Sequence, residues 1–146
     1  MKRIAPILCV LAMAASSALG LSTTASATTT QSMLDASTIT ISGADNGDPF
    51  TTRPVAVPAG GGLGVYGKNT SSNIVAFTRL NFRIIRDDNK DVTDQFVTDY
   101  LNEGNVINQR VTVSAAHRYH VRVTCQFVIA EPWTTCNGTF TVSAWG

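Results

Sequence analysis

The chain has 146 residues, 44% of them hydrophobic and 14% charged, with a formal net charge of +1 and three cysteines. That apolar share suits one packed domain and excludes a disordered or collagen-like chain. Near-neutral charge excludes a dedicated nucleic-acid binder or a polybasic membrane ligand, both of which need an excess of Lys and Arg.

The N-terminus opens with Lys2 and Arg3, continues with the apolar run IAPILCVLAMAASSALGL, and reaches small residues at Ala25-Ser26-Ala27. A charged start, an apolar stretch and an A-x-A end describe a secretory signal peptide, so residues 1–27 are expected to be removed and the product secreted. No charged anchor follows the apolar run, which argues against a retained transmembrane anchor. Cys9 leaves with the signal; the bulky Leu8 before it does not suit a lipid-anchor site. Removing 27 of 146 residues leaves nine basic residues against ten acidic ones. A chain of that size buries about two-thirds of its unfolded surface, enough for a single core. Cys125 and Cys136 remain, and an even pair in an exported chain predicts one disulfide.

Residues 28–36 are small and polar and read as a flexible lead-in with the option of an edge strand; the folded domain is expected over 37–146. Short alternating segments follow. Ile39 and Ile41 alternate with Thr and Ser, Val55 and Val57 stand between Pro54 and Pro58, and Leu63 and Val65 sit among glycines. Leu80, Phe82 and Ile84 alternate with Arg79, Asn81 and Arg83; Val111 and Val113 alternate with Arg110, Thr112 and Ser114. Turn-forming stretches separate them: GADNGDP, PAGGG, KNTSSN, RDDNKD and NEGN. VTDQFVTDYL, residues 92–101, is the one stretch with room for a helical turn.

Two stretches imitate ligand motifs. GLGVYGKN, Gly62 to Asn69, matches a phosphate loop except that Asn69 replaces the Ser or Thr that binds magnesium. A phosphate loop also needs a helix after it, and NTSSN offers a turn, so no nucleotide is expected. Asp87, Asn89 and Asp91 match three positions of a calcium loop, but Val92 replaces its glycine and Thr98 its closing glutamate. A solvated turn is the expectation there, with no metal and no cofactor.

The last thirty residues are expected to form a hairpin of Tyr119–Ile129 and Cys136–Trp145. Pairing Cys125 with Cys136 sets Val123 opposite Gly138, Val121 opposite Phe140 and Tyr119 opposite Val142, an apolar side. Arg118, His120, Arg122 and Thr124 then line a polar side, opposite Ser143, Thr141, Thr139 and Asn137. A one-residue slip would mix the two faces.

RVTVSAAHRYHVRVTC, sixteen residues from Arg110 to Cys125, resembles the late strands of immunoglobulin-like and fibronectin type III-like domains, where a Tyr opens an alternating strand after a small-residue corner. Six to eight short strands in about 110 residues suggest an all-β fold, a small antiparallel β-sandwich, with one hairpin disulfide from the cysteine pairing above. The resemblance supports that architecture but lacks the Trp and paired-cysteine framework of antibody domains. It also implies that Arg79, Arg83, Arg118, His120 and Arg122 share one sheet face, which would then be basic.

The expected function is that of a secreted non-catalytic binding module, because no catalytic group is identifiable. His117 and His120, three apart on a strand, point to opposite faces. Both cysteines are expected to be oxidised, and no G-x-S-x-G occurs. Recognition is expected on the basic face or at the hairpin tip, where Glu131, Pro132 and Trp133 form a preorganised loop with an aromatic anchor. The expected partner is an extracellular protein or a cell-envelope polymer. The alternative is an inhibitor of an extracellular protease or glycosidase, plugging its cleft with residues 130–135.

Overall fold

A computed structural model describes residues 30–73, 77–129 and 133–146. The expected signal peptide, and Ala130, Glu131 and Pro132 of the expected tip, lie outside the described residues. Nine strands are present among them: β1 Met33–Ala44, β2 Pro49–Thr51, β3 Val55–Val57, β4 Gly62–Asn69, β5 Phe77–Arg86, β6 Tyr100–Asn102, β7 Val106–Thr112, β8 His117–Ile129 and β9 Cys136–Trp145. They form two antiparallel sheets. One has the order β1-β9-β4-β7, the other β2-β8-β5-β6, with β3 also paired to β8.

Alternation in sequence becomes alternation in burial. Along β8, Tyr119, Val121, Val123 and Cys125 face inward while Arg118 and Arg122 face solvent. Along β9, Cys136, Gly138, Phe140, Val142 and Ala144 are buried. The two inner faces meet in one core, where Phe82 of β5 and Phe140 of β9 have ring centroids 5.3 Å apart. Each such side chain removed from water contributes about 1.5–3 kcal/mol. The helical turn expected in VTDQFVTDYL is a single 3-10 turn, Thr93–Gln95.

The expected hairpin is corrected. β8 and β9 do not pair; they lie in different sheets, β8 bonded to β2, β3 and β5, β9 to β1 and β4. Val123 stands opposite Phe50 and Phe82, and Phe140 opposite Ile39 and Gly67. An apolar stripe fixes which side of a strand turns inward. It does not decide whether its partner stripe lies beside it in one sheet or across the core in another.

The expected disulfide is present, with a different job. Cys125 and Cys136, 1% and 0% exposed, are bonded with Cα atoms 5.8 Å apart. Facing sheets normally stand about 10 Å apart, so this bond pinches the two layers together at one end. It closes a short loop, with a sequence separation of 11.

Three further features have local causes. β1 begins at Met33, so residues 33–36 belong to an edge strand that pairs with β9 as far as Trp145. Arg53 clasps it there, donating to both carboxylate oxygens of Asp35 at 3.0 and 2.8 Å and to the Ala36 carbonyl at 3.1 Å. β2 and β6 carried no alternating signal; each has three residues and takes its order from a long neighbour, β8 or β5. The phosphate-loop lookalike is all strand, β4, hydrogen-bonded between β7 and β9. A Cβ at Gly67 would come within 2.5 Å of the Phe140 ring, so that glycine makes room for the core.

Replacing both cysteines (Cys125→Ala with Cys136→Ala) is expected to lower stability by about 3 kcal/mol in the chain-entropy model. A lower urea midpoint and faster amide exchange in β5 and β9, one strand of each sheet, would register the loss.

Candidate functional site

β5 and β8 run antiparallel, with Arg79 opposite Gln126, Asn81 opposite Thr124, Arg83 opposite Arg122 and Ile85 opposite His120. In that register the odd residues of β5 and the even residues of β8 point away from the core. Arg79, Arg83, His120 and Arg122 therefore share one outer face. Arg118, opposite Ala56 of β3, continues it past the end of β5. The pairing of β8 with β5 builds this face. The hydroxyl residues once expected beside β8, Thr139 and Thr141, lie in the other sheet.

The centre of the face is electrostatically unusual. Arg83 and Arg122 oppose one another directly, a like-charge cross-strand pair that costs rather than stabilises. Arg83 Nε lies 3.8 Å from Asp91 Oδ2, too far for a hydrogen bond. Arg122 makes no hydrogen bond or ion pair among the described residues. Arg79 is better held: its Nε donates to Asn102 Oδ1 at 3.2 Å and its guanidinium stacks on the Tyr100 ring at 4.2 Å. His120 is half-buried. Burial, and then the positive charge of Arg122, hold its imidazole below the ordinary histidine value.

Between the two arginines the surface is concave. A depression of about 460 Å³ is lined by Arg83, Arg122, Asn81, Thr124, Asp99 and the Phe82 backbone region, within the range of small-ligand sites. Asp99 comes from the irregular segment before β6; its carbonyl accepts the Phe82 N–H at 2.7 Å, which fixes it at the sheet edge. Asn81 Nδ2 donates to Gln126 Oε1 at 2.8 Å. Two guanidiniums present forked N–H donors that match a carboxylate or phosphate, and Asp99 offers an acceptor beside them.

The acidic turn places its carboxylates apart. Asp87 meets His117 Nδ1 at 2.9 Å and the Arg118 backbone N–H at 3.2 Å. Asp88 pairs with Arg86, whose hydrogen bonds hold it well below the usual carboxylate range. Asp91 accepts from the Thr93 backbone N–H at 2.9 Å and from its hydroxyl. Among the described residues no three His, Cys, Asp or Glu side chains converge on a metal position. His117 and Asp87 form a dyad at the rim, and Ser114 borders the same bay. No hydrogen bond joins Ser114 to His117 among the described residues, so no nucleophile is engaged there.

At the other end of the strands Trp133 is 89% exposed, and Phe77, Val128 and Ile129 are half-exposed around the point where Phe77 pairs with Ile129. Trp145 lies on the outer face of the opposite sheet, covered by Arg110 at 3.5 Å. No protein-family model matches this chain, and no curated protein matches it by sequence.

Sequence reasoning missed Asp99 and the depression itself. Asn81 and Thr124 were visible as polar members of alternating strands. Asp99 gave no signal, because its place depends on one backbone bond from an irregular segment.

Arg122→Gln is expected to raise the His120 titration midpoint toward the ordinary value, read by NMR. His120 titrates below that value in the fold, so its stability contribution is complete above about pH 6.5 and is lost as pH falls toward the folded-state midpoint. The same variant should narrow that loss. It should also melt higher at low ionic strength by relieving the like-charge pair, with the gain shrinking in 1 M salt.

Proposed function

We propose that this chain is an exported, non-catalytic binding module that holds an anionic partner on the outer face of the β5–β8 sheet. The frame is of the kind that immunoglobulin-like and fibronectin type III-like sandwiches use to carry binding surfaces. Here the last two strands fall in separate sheets, so the likeness extends to the architecture and not to the strand order. One observation carries the functional reading: Arg83 and Arg122 face each other across a depression with no carboxylate hydrogen-bonded to either among the described residues, Asp91 reaching Arg83 only at 3.8 Å. An anion from a partner would fill that vacancy and remove the repulsion at once. A cell-envelope polymer, or an acidic surface on an extracellular protein, supplies such groups.

On a sulfated polyanion column the protein is expected to be retained at low salt and released as salt rises. Arg83→Ser with Arg122→Ser should elute much earlier. Equal retention of the two proteins would overturn this reading.

A second reading rests on Trp133. An almost fully exposed tryptophan, four residues after the half-exposed Ile129, is the kind of anchor that fills a cleft on a partner. As an inhibitor of an extracellular hydrolase, the protein would slow a secreted protease or glycosidase, and Trp133→Ala would abolish the effect while leaving polyanion retention intact. A panel of such enzymes assayed with both proteins separates the two readings.

A further inference from the structure

We propose that the depression between Arg83 and Arg122 takes a uronic-acid unit of an acidic polysaccharide. Its carboxylate would lie between the two guanidiniums and its hydroxyls would meet Asp99 and Thr124. This inference rests on the anion-binding reading above and names the chemistry of the anion.

The arginines alone do not choose among carboxylate, sulfate and phosphate. Asp99 does. It borders the same depression, and its carboxylate has no hydrogen-bond partner among the described residues. An ionised carboxylate only accepts hydrogen bonds. Against a densely charged polymer such as polyphosphate or a heavily sulfated glycan it would weaken the hold of the two arginines and add no hydrogen bond. Against a sparsely charged, hydroxyl-rich ligand it becomes a recognition group, because sugar hydroxyls donate to it. Thr124, whose hydroxyl is also without a partner among the described residues, adds a group that donates or accepts. The site thus offers two cations, one anion and one hydroxyl within a single concavity, the complement of a sugar ring bearing one carboxylate.

The surroundings disfavour nucleic acid. Single strands need exposed rings for base stacking. Among the described residues the one aromatic lining the depression is Phe82, 1% exposed, and the Tyr100 face is covered by Arg79. The face also continues in a way that suits a chain rather than a single sugar. Arg79 lies four residues from Arg83 along β5, about 13 Å away at the usual strand rise, with Asn81 between them, Thr124 opposite Asn81 and Gln126 opposite Arg79. A polymer lying along the strands would meet an amide and a hydroxyl between cationic points.

The test uses the folded, disulfide-bonded protein. Calorimetry and amide NMR are run with galacturonate oligomers, with alginate oligomers, with the same oligomers after reduction of their carboxylates to alcohols, with dextran sulfate and with single-stranded DNA. At least one uronate series is expected to bind, with shifts centred on Arg83, Asp99, Arg122 and Thr124, and carboxylate reduction should weaken it about tenfold or more. Arg122→Gln and Arg83→Gln should each weaken it about tenfold, with the native amide spectrum of each variant as the check on folding. Asp99→Asn should act in opposite directions, weakening the uronates and tightening dextran sulfate. Tighter binding of dextran sulfate or DNA than of any uronate, still lost in Arg122→Gln, overturns the inference and leaves the anion-binding reading standing. Uronate binding that ignores carboxylate reduction overturns it too. Absence of binding to every polyanion overturns both.

Discussion

The bond between Cys125 and Cys136 is the constraint on which the arrangement turns. Two consecutive strands leave it in different layers, and the layers close to a Cα separation of 5.8 Å where they share it. Because β9 is committed to the far sheet, between β1 and β4, β8 is free on both edges. It takes β5 along one edge and the short β2 and β3 along the other. β8 thereby becomes the spine of its sheet. Its inner residues, Tyr119 to Cys125, complete the core; its outer residues, Arg118 to Thr124, complete the charged face. Had β8 and β9 formed a hairpin, Arg122 would have stood beside Thr139, and β9 would have taken one of the two edges that β5 and the pair β2 and β3 occupy.

That opposition sets stability against the proposed recognition of an anion. Two guanidiniums on adjacent strands repel, and a sequence selected for stability alone would place a carboxylate or a Thr at one of the two positions. The nearby acids relieve it only in part. Asp91 is turned toward Thr93 and reaches Arg83 only at 3.8 Å, Asp88 is held by Arg86, and Asp87 by His117 and the Arg118 backbone. The acidic turn, which in sequence matches three positions of a calcium loop, engages its carboxylates with local partners. His120 reports on the same field, since the charge of Arg122 is one reason its imidazole resists protonation.

How much of this was legible depends on the range of the interaction. Inward and outward residues along β5, β8 and β9 followed from alternation alone, because a strand's two faces are a local property. The disulfide followed from a count of two cysteines. The assignment of β8 and β9 to separate sheets did not follow, since the same stripes satisfy both pairings and a bridge at 5.8 Å fits either. The sharing of a face by Arg79, Arg83, His120 and Arg122 was expected, but from a likeness in Arg110–Cys125 whose strand order the structure does not repeat; the true cause is the register of β5 against β8. Asp99 was invisible because a single backbone bond to Phe82 places it.

The clasp at the outermost strand has a consequence of another kind. Long outer strands invite copies of a protein to zip together, since each offers a row of unused carbonyls and amides. Arg53 occupies the Ala36 carbonyl and grips Asp35, and its own backbone N–H is turned onto the Ser37 hydroxyl. A newcomer seeking to extend the layer at that point finds its first docking rung already taken, and would have to evict a guanidinium before it could add a single bond. One side chain thus blocks, at that rung, the pairing by which fibres grow.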